Sequence, residues 1–271
     1  MRATDTVPTM PIRRPLVALL VALPILAAAA ACTPLEFDTL TDGATQDQPI
    51  TEVRVSGGSG DVQVLSDASV KGVNLIRTVR YRGAKPGATY HFDGGVLYLD
   101  TSCGNFCGVS YEVHVPPRGT GPGVAVSGTN SSGNITVRGE GAVDISLSSG
   151  DIEITDIDAS VHAKSSSGNV TLVDIGGSVF VTATSGDITG RDLRGSGDIE
   201  ATSGNITLDL PGTGDVKAHA SSGDIDVRVP DGTCRVKTDT SSGDTEVKVA
   251  NGTAHLLDLS TGSGNITVKP R

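Results

Sequence analysis

The sequence predicts an all-β protein, a right-handed parallel β-solenoid (β-helix) of about 18-residue coils with an irregular N-terminal β cap. Three observations predict it. A phrase of Ser, Gly, Asp or Asn and then usually an aliphatic residue recurs at Gly133, Gly150, Gly168, Gly186, Gly204, Gly223, Gly243 and Gly264, with an isolated earlier copy at Gly60. From Gly133 onward the gaps are 17, 18, 18, 18, 19, 20 and 21 residues, a period regular enough to outrank local propensity. Aliphatic residues fall at fixed, alternating offsets around each glycine, which is strand periodicity.

The chain begins with a segment that is not part of the fold. Arg13 and Arg14 precede an apolar run from Pro15 to Ala31 that stops at Cys32, the layout of a signal peptide over residues 1–31. Met10 opens a more typical signal peptide than Met1 does. Ala29-Ala30-Ala31-Cys32 resembles the lipobox of bacterial lipoproteins, with Cys32 as the lipidated residue; Ala29 stands where Leu is usual. Ordinary signal peptidase cleavage and a retained membrane helix are the alternatives, and the run is short and alanine-rich for a bilayer span. Residues 32–50 are polar, contain proline and lack periodicity, so they read as a lipidated N-terminus and flexible tether reaching roughly 60 Å when extended. Removing residues 1–31 takes a formal +2 from −10 and leaves −12. That charge disfavours nucleic acid and anionic lipid as partners and tolerates cations and cationic polymers. No later apolar run is long enough to cross a bilayer.

Residues 51–128 carry longer, irregular strands and all four tyrosines (Tyr81, Tyr90, Tyr98, Tyr111), with Phe92 and Phe106. They read as a β cap closing the exposed end of the stack, with a tyrosine-bearing binding surface as the alternative. Cys103 and Cys107 fit a disulfide pinching a loop of an exported protein. A metal site would need further soft ligands, and the spacing of His91 and His114 is not zinc-like. Cys234 occupies a small apolar position of the repeat and reads as a buried thiol.

Residues 129–271 form the solenoid. Inward residues follow the glycine by two and four positions, as in Ile152 and Ile154 or Ile206 and Leu208, and precede it by seven, five and three, as in Val179, Val181 and Ala183. One coil cannot bury such a face alone, whereas stacked coils can. No window shows helical spacing, and the strands are rich in Val, Ile and Thr. An antiparallel sandwich would give no reason for the same residue type at the same offset, because only a parallel stack makes equal offsets into neighbours. Eight coils about 4.8 Å apart make a rod about 34 Å long. The widening C-terminal gaps read as slack in turns at Pro230-Asp231-Gly232 and Asn251-Gly252, and the coil at Gly264 to Val268 then leaves an open edge for a partner strand or self-association.

After the repeated glycines stand Asn134, Asp151, Asn169, Asp187, Asn205, Asp224, Asp244 and Asn265, alternating almost strictly. Stacked on one edge they form a turn ladder in which an amide between carboxylates relieves repulsion of around 1 kcal/mol per adjacent pair. The functional alternative is a weak cation site of calcium type, but the Gly-Gly-x-Gly-x-Asp phrase of calcium-binding solenoids is missing.

No catalytic constellation emerges. The acidic residues follow the repeat, His162, His219 and His255 stand singly on strand positions, and there is no Trp to build a glycan cleft. The Gly-Ser-Gly-Asp phrases at Gly58 and Gly195 neither open a helix nor carry the Lys of a phosphate loop. The expectation is no enzyme, no metal and no cofactor.

The lipobox, the Ser-Gly-Asp-Ile repeats and the Ser102-to-Cys107 loop followed by Val109-Ser110-Tyr111-Glu112-Val113 resemble the Toastrack family of bacterial envelope proteins, also labelled adhesins of unknown function. The resemblance covers residues 51–271. It implies an extracytoplasmic one-sided β-helix that acts as a scaffold or adhesin, sometimes within envelope-stress systems, and supplies no catalytic residues. Many members are fused to multi-pass membrane segments, which this sequence lacks. The expected protein is therefore a non-enzymatic surface scaffold or adhesin-like module on the outer face of the cytoplasmic membrane. Its expected partners are the membrane, through the lipid, and an envelope protein or wall polymer. A cation- or wall-polymer-binding protein is the alternative, and a polysaccharide-active β-helix enzyme is the third reading.

Overall fold

A computed structural model describes residues 36–117, 119, 123–139, 141–212 and 214–271. The signal peptide and Cys32 lie outside the described residues. Through the middle of the chain, strands alternate between two walls. Val143–Ser149, Val161–Ser167, Val179–Ser185, Gly197–Ser203 and Val216–Ser222 belong to the first wall. Ile152–Ile157, Val170–Ile175, Ile188–Leu193, Ile206–Asp209 and Ile225–Val229 belong to the second. Each strand pairs in parallel with its equivalent one coil away, so equal offsets meet: Ile188 lies beside Val170 and Ile206, and Val181 beside Ala163 and Ile199. Val, Ile, Leu and Ala fill these inward positions and form one core cluster. The protein is a β-solenoid.

The turn between the walls explains its glycine. Gly186 has φ +133°, and a Cβ there would lie 2.2 Å from the carbonyl oxygen of Gly168 in the coil below. No side chain fits that approach, and an L-residue is strained at that φ. A second device is less visible in the sequence. Asp156, Asp174 and Asp192 take left-handed backbone, at φ 59°, 58° and 54°, which Asp tolerates better than most residues. This kink breaks the strict alternation and swings Ile157, Ile175 and Leu193 inward as a third buried residue per strand.

At both ends the coils stack out of sequence order. The coil made by Glu52–Ser56 and Val62–Ser66 lies directly beside the one made by Ala125–Ser132 and Ile135–Arg138. The coil of Val96–Asp100 and Cys107–Val115 sits outside it. Solenoid pairing thus reaches well before residue 129. At the other end, Cys234–Ser242 and Thr245–Val247 form the outermost coil. The final pair, His255–Ser263 and Ile266–Pro270, is inserted between it and the coil of Val216–Ser222 and Ile225–Val229. Two expectations are corrected here. The open edge belongs to residues 234–247, not to the coil at Gly264, and the longer C-terminal gaps are not turn slack. The connection at 230–233 climbs over one slot, about 10 Å instead of about 5 Å, and the connection at 248–254 steps back by one slot into the gap.

The N-terminal end is closed by antiparallel strands. Asp38–Gln46 pairs with Val73–Tyr81, which pairs with Cys107–Val115, and Tyr90–Asp93 forms a hairpin with Val96–Asp100. The expected tether over residues 32–50 is therefore corrected, since 38–46 is an ordered edge strand. Backbone hydrogen bonding and one buried cation hold it. Arg77, 4% exposed, points into the cap, where its Nε and Nη2 donate to Asp42 Oδ1 at 2.8 Å and Oδ2 at 2.6 Å. Its Nη1 donates to the Gly87 carbonyl at 2.7 Å and to Thr89 Oγ1 at 3.0 Å. The Tyr111 hydroxyl lies 2.7 Å from the Thr89 carbonyl oxygen and 2.9 Å from that of Asp100. A fork so fully engaged satisfies a buried charge at the end of the stack.

Candidate functional site

The long edge where the two walls turn carries the ladder residues, all of them exposed. In each coil the ladder side chain accepts a hydrogen bond through Oδ1 from the backbone N–H of the next ladder residue. The bonds run from Asn134 N to Asp61 at 2.8 Å, through Asp151, Asn169, Asp187, Asn205 and Asp224, to Asn265 N on Asp224 at 2.7 Å and Asp244 N on Asn265 at 3.0 Å. Asp61 N in turn donates to Ser110 Oγ at 3.2 Å. In spatial order the ladder reads Asp61, Asn134, Asp151, Asn169, Asp187, Asn205, Asp224, Asn265, Asp244. The alternation broken in sequence at Asp224 and Asp244 is unbroken in space. Carboxylates are therefore about 9.6 Å apart instead of about 4.8 Å, which lowers their repulsion in a water-like dielectric from about 0.9 to about 0.4 kcal/mol per pair. One oxygen of each residue from Asp61 to Asn265 is thus committed to the backbone of the next coil. Among the described residues no group of three or more His, Cys, Asp or Glu side chains is placed to hold a metal ion.

A second charged row runs along the kinked end of the second wall, and sequence reasoning missed it. Arg138 reaches Asp156 at 3.7 Å, Arg194 pairs with Asp174 and reaches Asp158 at 3.5 Å, and Arg271 pairs with Asp192 and with Asp209 at 2.7 Å. Its signal was the recurrence of Asp one residue before the third buried aliphatic, at positions 156, 174 and 192.

The remaining candidates separate cleanly. Cys103 and Cys107 form a disulfide with 5.5 Å between Cα atoms, and Cys234 is a buried free thiol. His91 stacks on Tyr98 at 4.6 Å between ring centroids. Both ring nitrogens of His114 are engaged by carboxylates, Nε2 by Glu112 at 2.8 Å and Nδ1 by Asp67 at 3.2 Å. Tyr111 is buried, and burial pushes its hydroxyl up to about 12. The Arg77 guanidinium holds the Asp42 carboxyl below its usual value.

Among the described residues, two of the shallow grooves carry exposed aromatic rings. One of about 300 Å³ on the first wall is lined by Phe180, Asp198, Asp215, Lys217, Leu256 and Asp258, with Phe180 stacked against His162 at 4.7 Å. The other, about 360 Å³, lies at the N-terminal end between Phe37, Phe106, Thr78, Arg80 and Ser110. Neither combines a nucleophile with a base and an orienting partner.

Comparison with known proteins agrees with this geometry. A solved structure from Bacteroides fragilis described as a "putative adhesin" aligns with a TM-score of 0.51 at 10% identity, covering 86% of this chain and 97% of that one. A "putative cell adhesion protein" from Clostridium sporogenes aligns over 87% of this chain and all of its own at 10% identity, with a TM-score of 0.30. The first likeness speaks to the fold alone, and the second carries no argument. No curated protein matches the chain. The family model of Toastrack DUF4097 matches residues 124–269, more than half of the chain and all the coils from Ala125 onward, and the chain belongs to that family.

Proposed function

We propose that the protein is a non-enzymatic, adhesin-like scaffold of the bacterial envelope, anchored through lipid on Cys32 to the outer face of the cytoplasmic membrane. The observation that carries this reading is the construction of the rod. Ten strands of the second wall stack in parallel, spanning about 43 Å, and many charged residues along them pair with one another or with the backbone, with Asp209 and Asp226 beside Arg191 and Arg228 in one open groove of about 390 Å³. Such a surface suits repeated contact with an extended partner. The name given to the Bacteroides fragilis structure supports the same reading.

Crosslinking on intact cells that carry the chain, followed by pull-down and mass analysis, tests it. Adducts to an envelope protein or wall polymer on wall residues are expected. Conversion of wall glycans by the purified chain would replace the scaffold with an enzyme. A second reading, a cation- or wall-polymer-binding protein, is favoured by the Phe180 groove, where an exposed ring beside Asp198, Lys217 and Asp258 offers stacking and polar contacts together. Calorimetry with isolated wall polymers, calcium and magnesium decides it, and absence of heat at millimolar ligand removes it.

A further inference from the structure

The N-terminal groove carries two exposed aromatic side chains, Phe37 and Phe106. Phe106 is 66% exposed, held at φ 54° inside the loop closed by Cys103 and Cys107. Left-handed backbone is uncommon for a bulky residue, and such outliers gather where a surface is used. Phe37 is 41% exposed, and the Arg80 guanidinium lies 5.9 Å from its ring centroid. Both rings line the same groove. Of the other aromatics of the cap, Tyr81, Tyr90, Phe92 and Tyr111 pack against the core and Tyr98 stacks on His91.

What lies next to this groove follows from chain length. The ordered edge strand begins at Asp38, so only four residues lie between Cys32 and Phe37, five steps along the chain. Five steps reach at most about 18 Å, and the Cys32 backbone that would carry the lipid is therefore held within that distance of Phe37. A long tether would have let the rod stand clear of the bilayer. This short one does not.

We propose that the Phe37–Phe106 groove is a membrane seat, in which the two rings enter the interface of the bilayer that receives the Cys32 lipid and Arg80 meets headgroup phosphate. The inference rests on the lipid-anchor reading above. Its chemistry is that of interfacial anchoring, in which aromatic rings settle at headgroup depth and a second contact makes a weak single anchor firm. Arg80 and Arg82 are exposed at this end of the molecule beside the exposed Glu36 and Asp38, so headgroup phosphate has cations to meet there although the whole chain is anionic. The rod then projects from the membrane with its open coil of residues 234–247 outermost.

The chain contains no Trp, so Phe37→Trp, Phe106→Trp and, as a control, the exposed Phe180→Trp each install a single reporter. The mature chain is coupled through Cys32 to vesicles of phosphatidylcholine and phosphatidylglycerol that contain a maleimide-headgroup lipid, with brominated acyl chains as quencher. The remaining cysteines are bonded or buried. Reporters at 37 and 106, seated about 5–10 Å into the interface, shift to shorter wavelength and lose roughly half their emission, while the reporter at 180 does neither. Emission at 37 and 106 that stays water-like and unquenched overturns the seat. Metabolic labelling of Cys32 with a fatty acid in cells tests the anchor separately. Missing label refutes the anchor and the seat with it, whereas label with unquenched rings refutes the seat alone.

Discussion

Placing a carboxylate at Ile188 separates a buried-stack architecture from any arrangement in which this face meets water. Ile188 is fully buried in the second wall, flanked by Val170 and Ile206 in the adjacent coils. Ile188→Asp forfeits the transfer of an Ile side chain, about 1.5–3 kcal/mol. It also buries an unpartnered carboxyl group, about 1–3 kcal/mol by mutational measure. Keeping that group neutral at pH 7 against an ordinary pKa near 3.9 costs about 4 kcal/mol more, at about 1.4 kcal/mol per unit. The sum is about 7–10 kcal/mol, comparable with the whole stability of an ordinary domain. Urea titration followed by far-ultraviolet circular dichroism is the assay, with Ile188→Val, expected to cost about 0.5–1.5 kcal/mol, as the volume control. At pH 4 the protonation cost nearly vanishes, so the deficit relative to the parent at the same pH shrinks by about 4 kcal/mol. A deficit below about 1 kcal/mol at pH 7, or one that is equal at both pH values, refutes the burial of this position.

Two further outcomes follow from the ladder and the cap. Asn205→Asp creates three consecutive carboxylates at Asp187, 205 and Asp224; it is expected to cost about 1–2 kcal/mol in low salt and to recover most of that in 1 M salt, where the screening length is about 3 Å, whereas a loss insensitive to salt would contradict the electrostatic account. Tyr111 has its folded pKa raised from 10 to about 12, so the stability it contributes is complete below pH 10 and is lost as pH rises toward 12, about 3 kcal/mol in all. Tyr111→Phe should abolish that alkaline slope, and an unchanged slope would assign it to another group.

Much of this was legible because the repeat fixes its own geometry. The glycine offsets identified Ile152, Ile154, Val179 and Val181 as inward, and their burial follows from pleat alternation alone. The third inward residue, Ile157 in its coil, was hidden because a left-handed Asp156 breaks the period-two pattern. Residues 38–46 were hidden for a different reason. Their side chains are nearly all polar or small, and the strand is held by backbone pairing and the Asp42–Arg77 ion pair, neither of which leaves an apolar periodicity. Phe106 carried no signal beyond its place between two cysteines. Coil order was concealed by the regularity itself, since equivalent offsets do not say which copy is the neighbour. One clue was nevertheless present: strict Asp and Asn alternation requires Asn265 to stand between Asp224 and Asp244.

That threading is tested most directly by engineered disulfides at the exposed serine row. Ser222 and Ser263 are register partners in adjacent coils, whereas Ser222 and Ser242 are separated by the inserted coil. A disulfide needs Cα atoms within about 7 Å, a condition met by one coil spacing of about 4.8 Å and failed by two. Oxidation of the Ser222→Cys, Ser263→Cys pair should crosslink the folded chain quantitatively, while the Ser222→Cys, Ser242→Cys pair remains reduced. The reverse result would place residues 234–247 next to residues 216–229 and contradict the stacked order on which the continuous ladder depends.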